Sequence, residues 1–330
     1  MTREQSDGIR SKLPEFLAEV RSAKRVLIST HLNPDGDAIG SALTIKHVLD
    51  QLNIPNEVLC HNTAPSYLAF LPGADQIHQT PEFNDHDCAV VCDLDALDRL
   101  GTIRPYVEAL PRLTIIDHHI PHEAPGNIRI VDTASPATCA ILCDLFFDSE
   151  ITITPEIADC LLAGIVTDTG SFKFPNTTPH CLHVSGQLLE FGANLPRLTE
   201  EVYMSRALES ARLLGEALHS MRLECDNQLA YVVIPFELLQ ELGARDEHTE
   251  GIVNELLSIE TVKIAAILRE SKPNKFKGSL RSRIDFDVAK VAQEFGGGGH
   301  RNAAGLNLEG PREEVEKTIV DALKKCLESC

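Results

Sequence analysis

The stretch Arg25-Val26-Leu27-Ile28-Ser29-Thr30-His31-Leu32-Asn33-Pro34-Asp35-Gly36-Asp37 opens on an apolar run and closes on an imidazole and two carboxylates. It reads as a short buried strand with ionisable groups at its carboxyl end. A helix then starts near Asp37 and runs through Ile39, Leu43, Ile45 and Val48. Three further segments repeat the theme. Asp93 follows Cys88-Ala89-Val90-Val91-Cys92, and Asp117-His118-His119 follows Leu113-Thr114-Ile115-Ile116. Asp168 lies inside Gly164-Ile165-Val166-Thr167-Asp168-Thr169-Gly170. In open α/β sheets ligands bind beyond the carboxyl ends of the strands, so groups far apart in sequence can converge there. Carboxylates mixed with neutral imidazoles suit divalent Mn, Fe or Zn better than Ca or Mg.

Outward from these segments, strand and helix alternate. Residues 6–23 read as one amphipathic helix with Ile9, Leu13, Phe16, Leu17 and Val20 on one stripe. Asn56–Cys60, 88–92 and 113–116 read as strands, and Pro136–Phe147 and Pro155–Val166 as helices with Pro in the first turn. The expectation is an α/β fold: an N-terminal, mainly parallel sheet with helices on both faces. Asp168 then lies near the end of the second helix or just after it. After a helical stretch over 178–219 the pattern restarts with strands at 229–234, 262–268 and 276–282. Helices over 251–257, 287–295 and 311–327 accompany them. We expect a catalytic domain over 1–190, a helical linker over 191–215 and a second, smaller α/β domain over 216–330.

The 330 residues carry a net charge of −19, which argues against a broad footprint on long nucleic acid. A small anionic substrate remains open, because metal ions and a local Arg cluster invert the field in one cleft. The ten cysteines form no C-x-x-C pair and read as buried free thiols of a reducing cytosol. The N-terminus has no signal-peptide core, and no apolar run approaches the ~18 residues of a membrane span.

Asp35 and Asp37 flank Gly36, which lets the backbone turn sharply. Two carboxylates this close repel unless a positive charge lies beside them. A helix cap accounts for one of them, not for both plus His31. His118 and His119 are adjacent, so on an extended strand they point to opposite sides and take different roles. Asp95 and Asp98, before Arg99, read as a solvated acidic turn. Gly296–Gly299 alone reads as a flexible loop, without dinucleotide spacing or a P-loop lysine. With His300, Arg301 and Asn302 behind it, and Arg281 and Arg283 nearby in the pattern, it makes a local cationic patch suited to phosphate.

Taken in order, His31-x-Asn33-Pro34-Asp35-Gly36-Asp37, Asp93 with Arg99-x-Gly101, Asp117-His118-His119 and Gly164–Phe172 resemble the four motifs of the DHH phosphoesterase superfamily. Gly297-Gly298-Gly299-His300-Arg301-Asn302-Ala303-Ala304-Gly305 resembles the signature of the DHH-associated C-terminal domain. The resemblance covers nearly the whole chain. It is strongest to the compact two-domain nanoRNA hydrolases that also remove the 3′-phosphate of adenosine 3′,5′-bisphosphate.

That resemblance implies two divalent cations, expected to be Mn²⁺. His31 and Asp35 would hold the first, Asp37, His118 and Asp168 the second, and Asp93 would bridge. His119 would touch the scissile phosphate or help the leaving group, acting with Asp93 in catalysis. The second domain would hold the far end of the substrate through Arg281, Gly298, Gly299, His300 and Arg301, in a narrow cleft between the domains. The implied substrates are short RNA or a nucleotide. No long nucleic acid and no membrane are expected as partners, the expected location is the cytoplasm, and a homodimer is compatible with the pattern. A phosphodiesterase for cyclic di-AMP or its linear product is the alternative within the same chemistry. A processive exonuclease is disfavoured by the acidity, and a non-catalytic sensor by the presence of all six ligands. The glycine-rich signature argues for a nucleotide rather than pyrophosphate.

Overall fold

The amphipathic stretch expected over residues 6–23 forms two helices, α1 (Arg3–Arg10) and α2 (Leu13–Arg21). The break has a local cause. Pro14 has no amide hydrogen to continue α1, but it fits the first turn of a new helix. The apolar stripe survives the break, and Ile9, Leu13, Phe16, Leu17 and Val20 are all buried. A computed structural model describes residues 3–120, 125–205, 207–283 and 285–328, and the side chains of residues 3–5 and 300 lie outside that description. The chain divides between Ser205 and Arg206 into two compact units.

In the first unit the chain runs through β1 (Val26–Ser29), α3 (Gly36–Gln51), β2 (Asn56–Leu59), β3 (Ile77–His78), β4 (Cys88–Cys92) and α4 (Arg104–Glu108). It continues through β5 (Leu113–Asp117), β6 (Ile128–Val131), α5 (Thr138–Phe146), α6 (Pro155–Asp168), α7 (Pro179–Glu190) and α8 (Leu195–Tyr203). The six strands are all parallel, in the order β3-β2-β1-β4-β5-β6. Side-chain alternation sorts each strand between two apolar layers. Val26, Ile28, Cys88, Val90 and Cys92 join the layer containing residues of α2, α3, α5 and α6. Leu27, Ala89 and Val91 meet Leu100, Ile103 and Val107 on the other face. The parallel sheet with helices on both faces is therefore as the sequence predicts. β3 and β6 are additions at its edges: β3 has only two residues, and Arg129 interrupts the apolar run of β6.

Strand order turns back on itself between β1 and β4. Connections leave those neighbours in opposite directions, which opens a crevice beyond their carboxyl ends. His31 follows β1 and Asp93 follows β4, so both sit at that switch point.

The second unit contains α9 (Leu208–Ser220), β7 (Arg222–Glu224), β8 (Leu229–Ile234), α10 (Phe236–Glu241), α11 (Ile252–Ser258), β9 (Ile264–Lys272) and β10 (Lys275–Ser282). It ends with α12 (Val288–Glu294), β11 (Gly298–His300), β12 (Ala303–Glu309) and α13 (Arg312–Glu328). Its sheet has the order β11-β12-β10-β9-β8-β7 and is antiparallel except for the β8–β9 pair. One face packs Ile264, Phe276, Leu280 and Leu306 against α12 and α13. On the other face Val232, Ala265 and Ile267 meet α9 and α11, while Lys277, Gly305 and Asn307 stay exposed. The glycine run, which alone reads as a loop, forms the edge strand β11. Glycine is poor at signalling strands, so the pairing with β12 supplies what local propensity does not. Among the described residues no helix is long and apolar enough to cross a membrane.

Candidate metal centre

The loop after β1 and the start of α3 place two acids with different geometry. Asp35 is the N-cap of α3, and its Oδ1 accepts from the amides of Asp37 and Ala38, each at 3.1 Å. Asp37 is fully buried and faces the start of a different helix. Its Oδ2 accepts from Thr138 N at 2.6 Å and its Oδ1 from Cys139 N at 2.9 Å, the first two amides of α5. Helix N-termini favour a carboxylate in this position. Capping thus uses one carboxylate on each of two helices, and both remain within reach of the imidazoles.

Asp93 stands at the centre. It is buried, has a left-handed backbone with φ +56°, and is anchored by its amide on Ile116 O at 2.9 Å. A non-glycine residue in that region is uncommon and is held there by its surroundings. His31 Nε2 lies 3.3 Å from Asp93 Oδ2. His118 Nε2 lies 3.5 Å and His119 Nδ1 3.4 Å from Asp93 Oδ1. Asp168, the last residue of α6, presents Oδ2 at 3.3 Å from His118 Nε2, and Asp37 Oδ2 lies 4.0 Å from the same nitrogen. Three triads have ligand atoms all within 4.8 Å of one another: His31, Asp35 and Asp93; Asp37, His118 and Asp168; and Asp93, His118 and His119.

The donor set fits a divalent cation. His118 Nε2 is buried and has no hydrogen-bond partner although three carboxylates surround it. Its Nδ1 faces Ser135 O at 3.3 Å, and His31 Nδ1 faces Leu32 O at 2.9 Å. A carbonyl only accepts, so each ring in its neutral form carries its proton on Nδ1 and turns the Nε2 lone pair into the site. Backbone carbonyls orient metal-binding imidazoles in this way.

Without a cation the charges conflict. Burial, then the neighbouring Asp93, pushes the Asp37 carboxyl up to about 6. Burial, then Asp37, pushes Asp168 well above the usual carboxylate range. Burial works against the Asp93 anion too, but the His31 hydrogen bond and the charges of His118, His31 and His119 outweigh it and hold Asp93 low. His119 is raised to about 9: burial opposes its charge, and Asp117 and Asp93 overcome that.

One expectation is corrected. His118 and His119 do not point to opposite sides of a strand. β5 ends at Asp117, so the alternation stops before them, and the two rings meet edge to face with centroids 4.4 Å apart. Their partners still differ. His118 faces Asp37, Asp93 and Asp168, whereas His119 Nδ1 is held by Asp117 Oδ1 at 2.9 Å. Thr138 was not legible as a functional residue. Its hydroxyl donates to Asp93 Oδ1 at 3.2 Å while its amide binds Asp37. Asp95 pairs with Arg99 at 3.1 Å, and Arg99 O accepts from Leu32 N at 2.7 Å, which ties the Asp93 loop to the His31 loop.

In the second unit Arg281 lies on β10 with Nη1 donating to Leu280 O at 3.0 Å, and burial lowers its proton affinity. Gly298 and Gly299 are in β11, and Gly299 has φ +139°. Arg301 is exposed in the turn before β12. The side chain of His300 lies outside the described residues. Arg283 is committed elsewhere: it donates to Val262 O at 2.7 Å and to Ile259 O and Glu260 O at 3.2 Å. Asn302 Nδ2 likewise staples Ser282 Oγ, Arg283 O and Phe286 O.

With fold and site in place, comparison with known proteins gives a consistent assignment. The DHH family, N-terminal domain matches residues 25–165, and the DHHA1 domain matches residues 226–329. The chain belongs to the DHH family and is a metal-dependent phosphoesterase. It is 31% identical over 313 residues to the bifunctional oligoribonuclease and PAP phosphatase NrnA of Thermus thermophilus, covering 94% of this chain and 93% of that one. It is 25% identical over 318 residues to the protein of the same name from Bacillus subtilis, covering 95% and 98%. The crystal structure of an exopolyphosphatase-related protein from Bacteroides fragilis superposes with a TM-score of 0.89 at 30% identity, covering 96% of each chain.

Proposed function

We propose that the chain hydrolyses short oligoribonucleotides to mononucleotides, and adenosine 3′,5′-bisphosphate to AMP and phosphate. The observation that carries this reading is the sharing of Asp93 and His118 among three ligand triads, which suits two cations joined by a bridge. In our reading His31 and Asp35 hold one cation, Asp37, His118 and Asp168 the other, and Asp93 lies between, with Mn²⁺ as the metal. Such a pair, held by these residues, would supply an activated water and stabilise charge on a phosphoryl group displaced in line. The chain's own groups do the rest. Asp117 fixes the His119 proton on Nδ1 and turns its other nitrogen toward the scissile phosphate or the leaving oxygen. Thr138 orients Asp93. Arg281, Arg301 and the glycine edge hold the distal part of the substrate. The names carried by the relatives from Thermus thermophilus and Bacillus subtilis support these substrates. Free thiols at all nine described cysteines suit a reducing cytoplasm.

The test sets purified protein with Mn²⁺ against adenosine 3′,5′-bisphosphate, a dinucleotide, a longer RNA and cyclic di-AMP, side by side. Turnover of the first two is expected. Asp93→Ala should abolish it and reduce bound metal, because one bridge serves both sites. A preference for cyclic di-AMP, or active protein without bound divalent metal, would overturn the reading. Arg301→Ala should raise KM with metal content intact, by about 1.5–3 kcal/mol for a lost charge-assisted contact.

A further inference from the structure

The second unit carries a cleft of about 290 Å³ on the open face of its sheet, lined by Arg269, Lys277, Ser279, Gly305 and Asn307 among others. Strand register explains why these residues meet. Lys277 on β10 stands opposite Arg269 on β9 and Asn307 on β12. One step along, Ser279 stands opposite Gly305, which stands opposite Gly298. The first row is cationic, and the second runs from Ile267 on β9 through Ser279 to two glycines, so it is bare at its outer end.

Gly305 has no internal reason to be glycine. Its φ is not positive, and the nearest atom to a Cβ built there is Gly278 O at 3.7 Å. Its lack of a side chain keeps the cleft open. Arg269 is fixed rather than mobile. Its side chain is only 12% exposed, Nη1 donates to Asp246 O and Thr249 Oγ1, and Nη2 pairs with Asp246 Oδ2 at 3.0 Å. Its Nε is buried with no hydrogen-bond partner. Lys277 reaches the same Asp246 carboxylate at 3.5 Å and stays largely exposed. One carboxylate against two cations leaves a net positive charge beside a bare floor.

Lys277 and Arg281 lie four residues apart on one face of β10, a span of about 13 Å. Ser279 lies between them on the same face. That arrangement suits a nucleoside lying over Gly305 and Ser279 with a phosphate on either side.

We propose that Lys277 and Arg269 form a second phosphate subsite, which binds an outer phosphodiester of a bound oligonucleotide. The proposal rests on the oligonucleotide reading above and adds a determinant of substrate length to it. In that reading one phosphate of adenosine 3′,5′-bisphosphate is at the metals, which leaves one for Arg281 and none for Lys277. A tetranucleotide is long enough.

The test measures binding of a fluorescein-labelled, hydrolysis-resistant phosphorothioate tetra-adenylate to the Mn²⁺-loaded protein by anisotropy, with the unlabelled phosphorothioate of adenosine 3′,5′-bisphosphate and inorganic phosphate as competitors. Lys277→Gln should weaken tetra-adenylate about tenfold more than it weakens the bisphosphate, and Lys277→Arg should restore most of the loss. Gly305→Val should keep Tm at or above that of the unaltered protein while weakening tetra-adenylate by a similar factor. Equal losses on both ligands, or none on either, would overturn the subsite. So would inorganic phosphate competing better with the unaltered protein than with Lys277→Gln while tetra-adenylate binds both alike, which would mark a free-phosphate site. Dinucleotide hydrolysis by the unaltered protein, run in parallel with Mn²⁺, reports separately on the functional reading.

Discussion

Gly164 of α6 lies so close to Asp37 that a Cβ built on it would come within 2.6 Å of the carboxylate Oδ1 and would also strike Cys139 Sγ. The close approach sets where α6 ends, and so where Asp168 enters the site. It also leaves the Asp37 carboxylate free to meet the first amides of α5.

Gly164→Ala should therefore destabilise, although alanine is normally the better helix former by about 1 kcal/mol. Overpacking a filled interior costs about 1–3 kcal/mol, and the displaced atom here is a functional oxygen. Urea unfolding and turnover should both show the loss. Gly186→Ala on α7, where nothing lies within 4 Å of the new methyl, is the control and should be neutral or stabilising. Equal behaviour of the two variants would mean that the α6 contact is not a constraint.

Thr138→Val removes one donor from Asp93 and keeps the β-branched shape and the amide on Asp37. A net contribution near 1–1.5 kcal/mol corresponds to about a tenfold fall in kcat, with the protein folded and KM little changed. A kcat at the unaltered level would show that Asp93 needs no help from the hydroxyl.

The acid behaviour of the metal-free centre gives a further test. Asp37 titrates near 3.8 when unfolded and is pushed up to about 6 in the folded, metal-free chain, with Asp168 raised as well. Between those values the folded chain holds protons that the unfolded chain has released, so metal-free stability falls as pH rises through that window. A divalent cation must displace the Asp37 proton below about pH 6 and finds that carboxylate ionised above it, and the upward push on Asp168 acts in the same direction. The gain in Tm on adding Mn²⁺ should thus be larger at about pH 7.5 than at about pH 5. Equal gains would indicate that these carboxylates do not bind the ion.

What was legible in the sequence follows from what is local. His31, Asp93 and Asp117 each end an apolar run, so placing them at strand ends needed only the run and its stop. Asp168 was legible as a helix end by the same logic. The convergence of His118 with His119 was not, because it depends on the strand geometry ending at Asp117, before either imidazole. Thr138 was invisible for a stronger reason. Its two contacts exist only because the start of α5 arrives beside β1 and β4, which are about a hundred and about fifty residues away. β11 escaped because pairing, not propensity, makes a strand of glycines. Arg283 looked like part of the phosphate patch, yet its donors close three backbone carbonyls, a use that charge alone does not reveal.

Length selection separates local attraction from global repulsion. The chain carries −19, so nucleotides beyond those that the proposed contacts with Arg281, Arg301 and the Lys277 row would hold meet a mainly acidic surface with few counter-charges. Efficiency should therefore fall steeply once the strand extends past a few residues. Salt acts on the two parts differently. It weakens the local contacts alike for every substrate long enough to fill the Lys277 row, and it screens the repulsion only for longer ones, with a Debye length of about 10 Å at 0.1 M and about 3 Å at 1 M. The ratio of kcat/KM on a long strand to that on a tetranucleotide cancels the shared part, so this ratio should rise with salt even as both rates drop. The measurement is a rate series over oligonucleotide length at two ionic strengths. A ratio that falls with salt, or efficiency that is equal or greater on long strands, would mean that cations along an extended track guide the chain, and would restore a processive exonuclease reading.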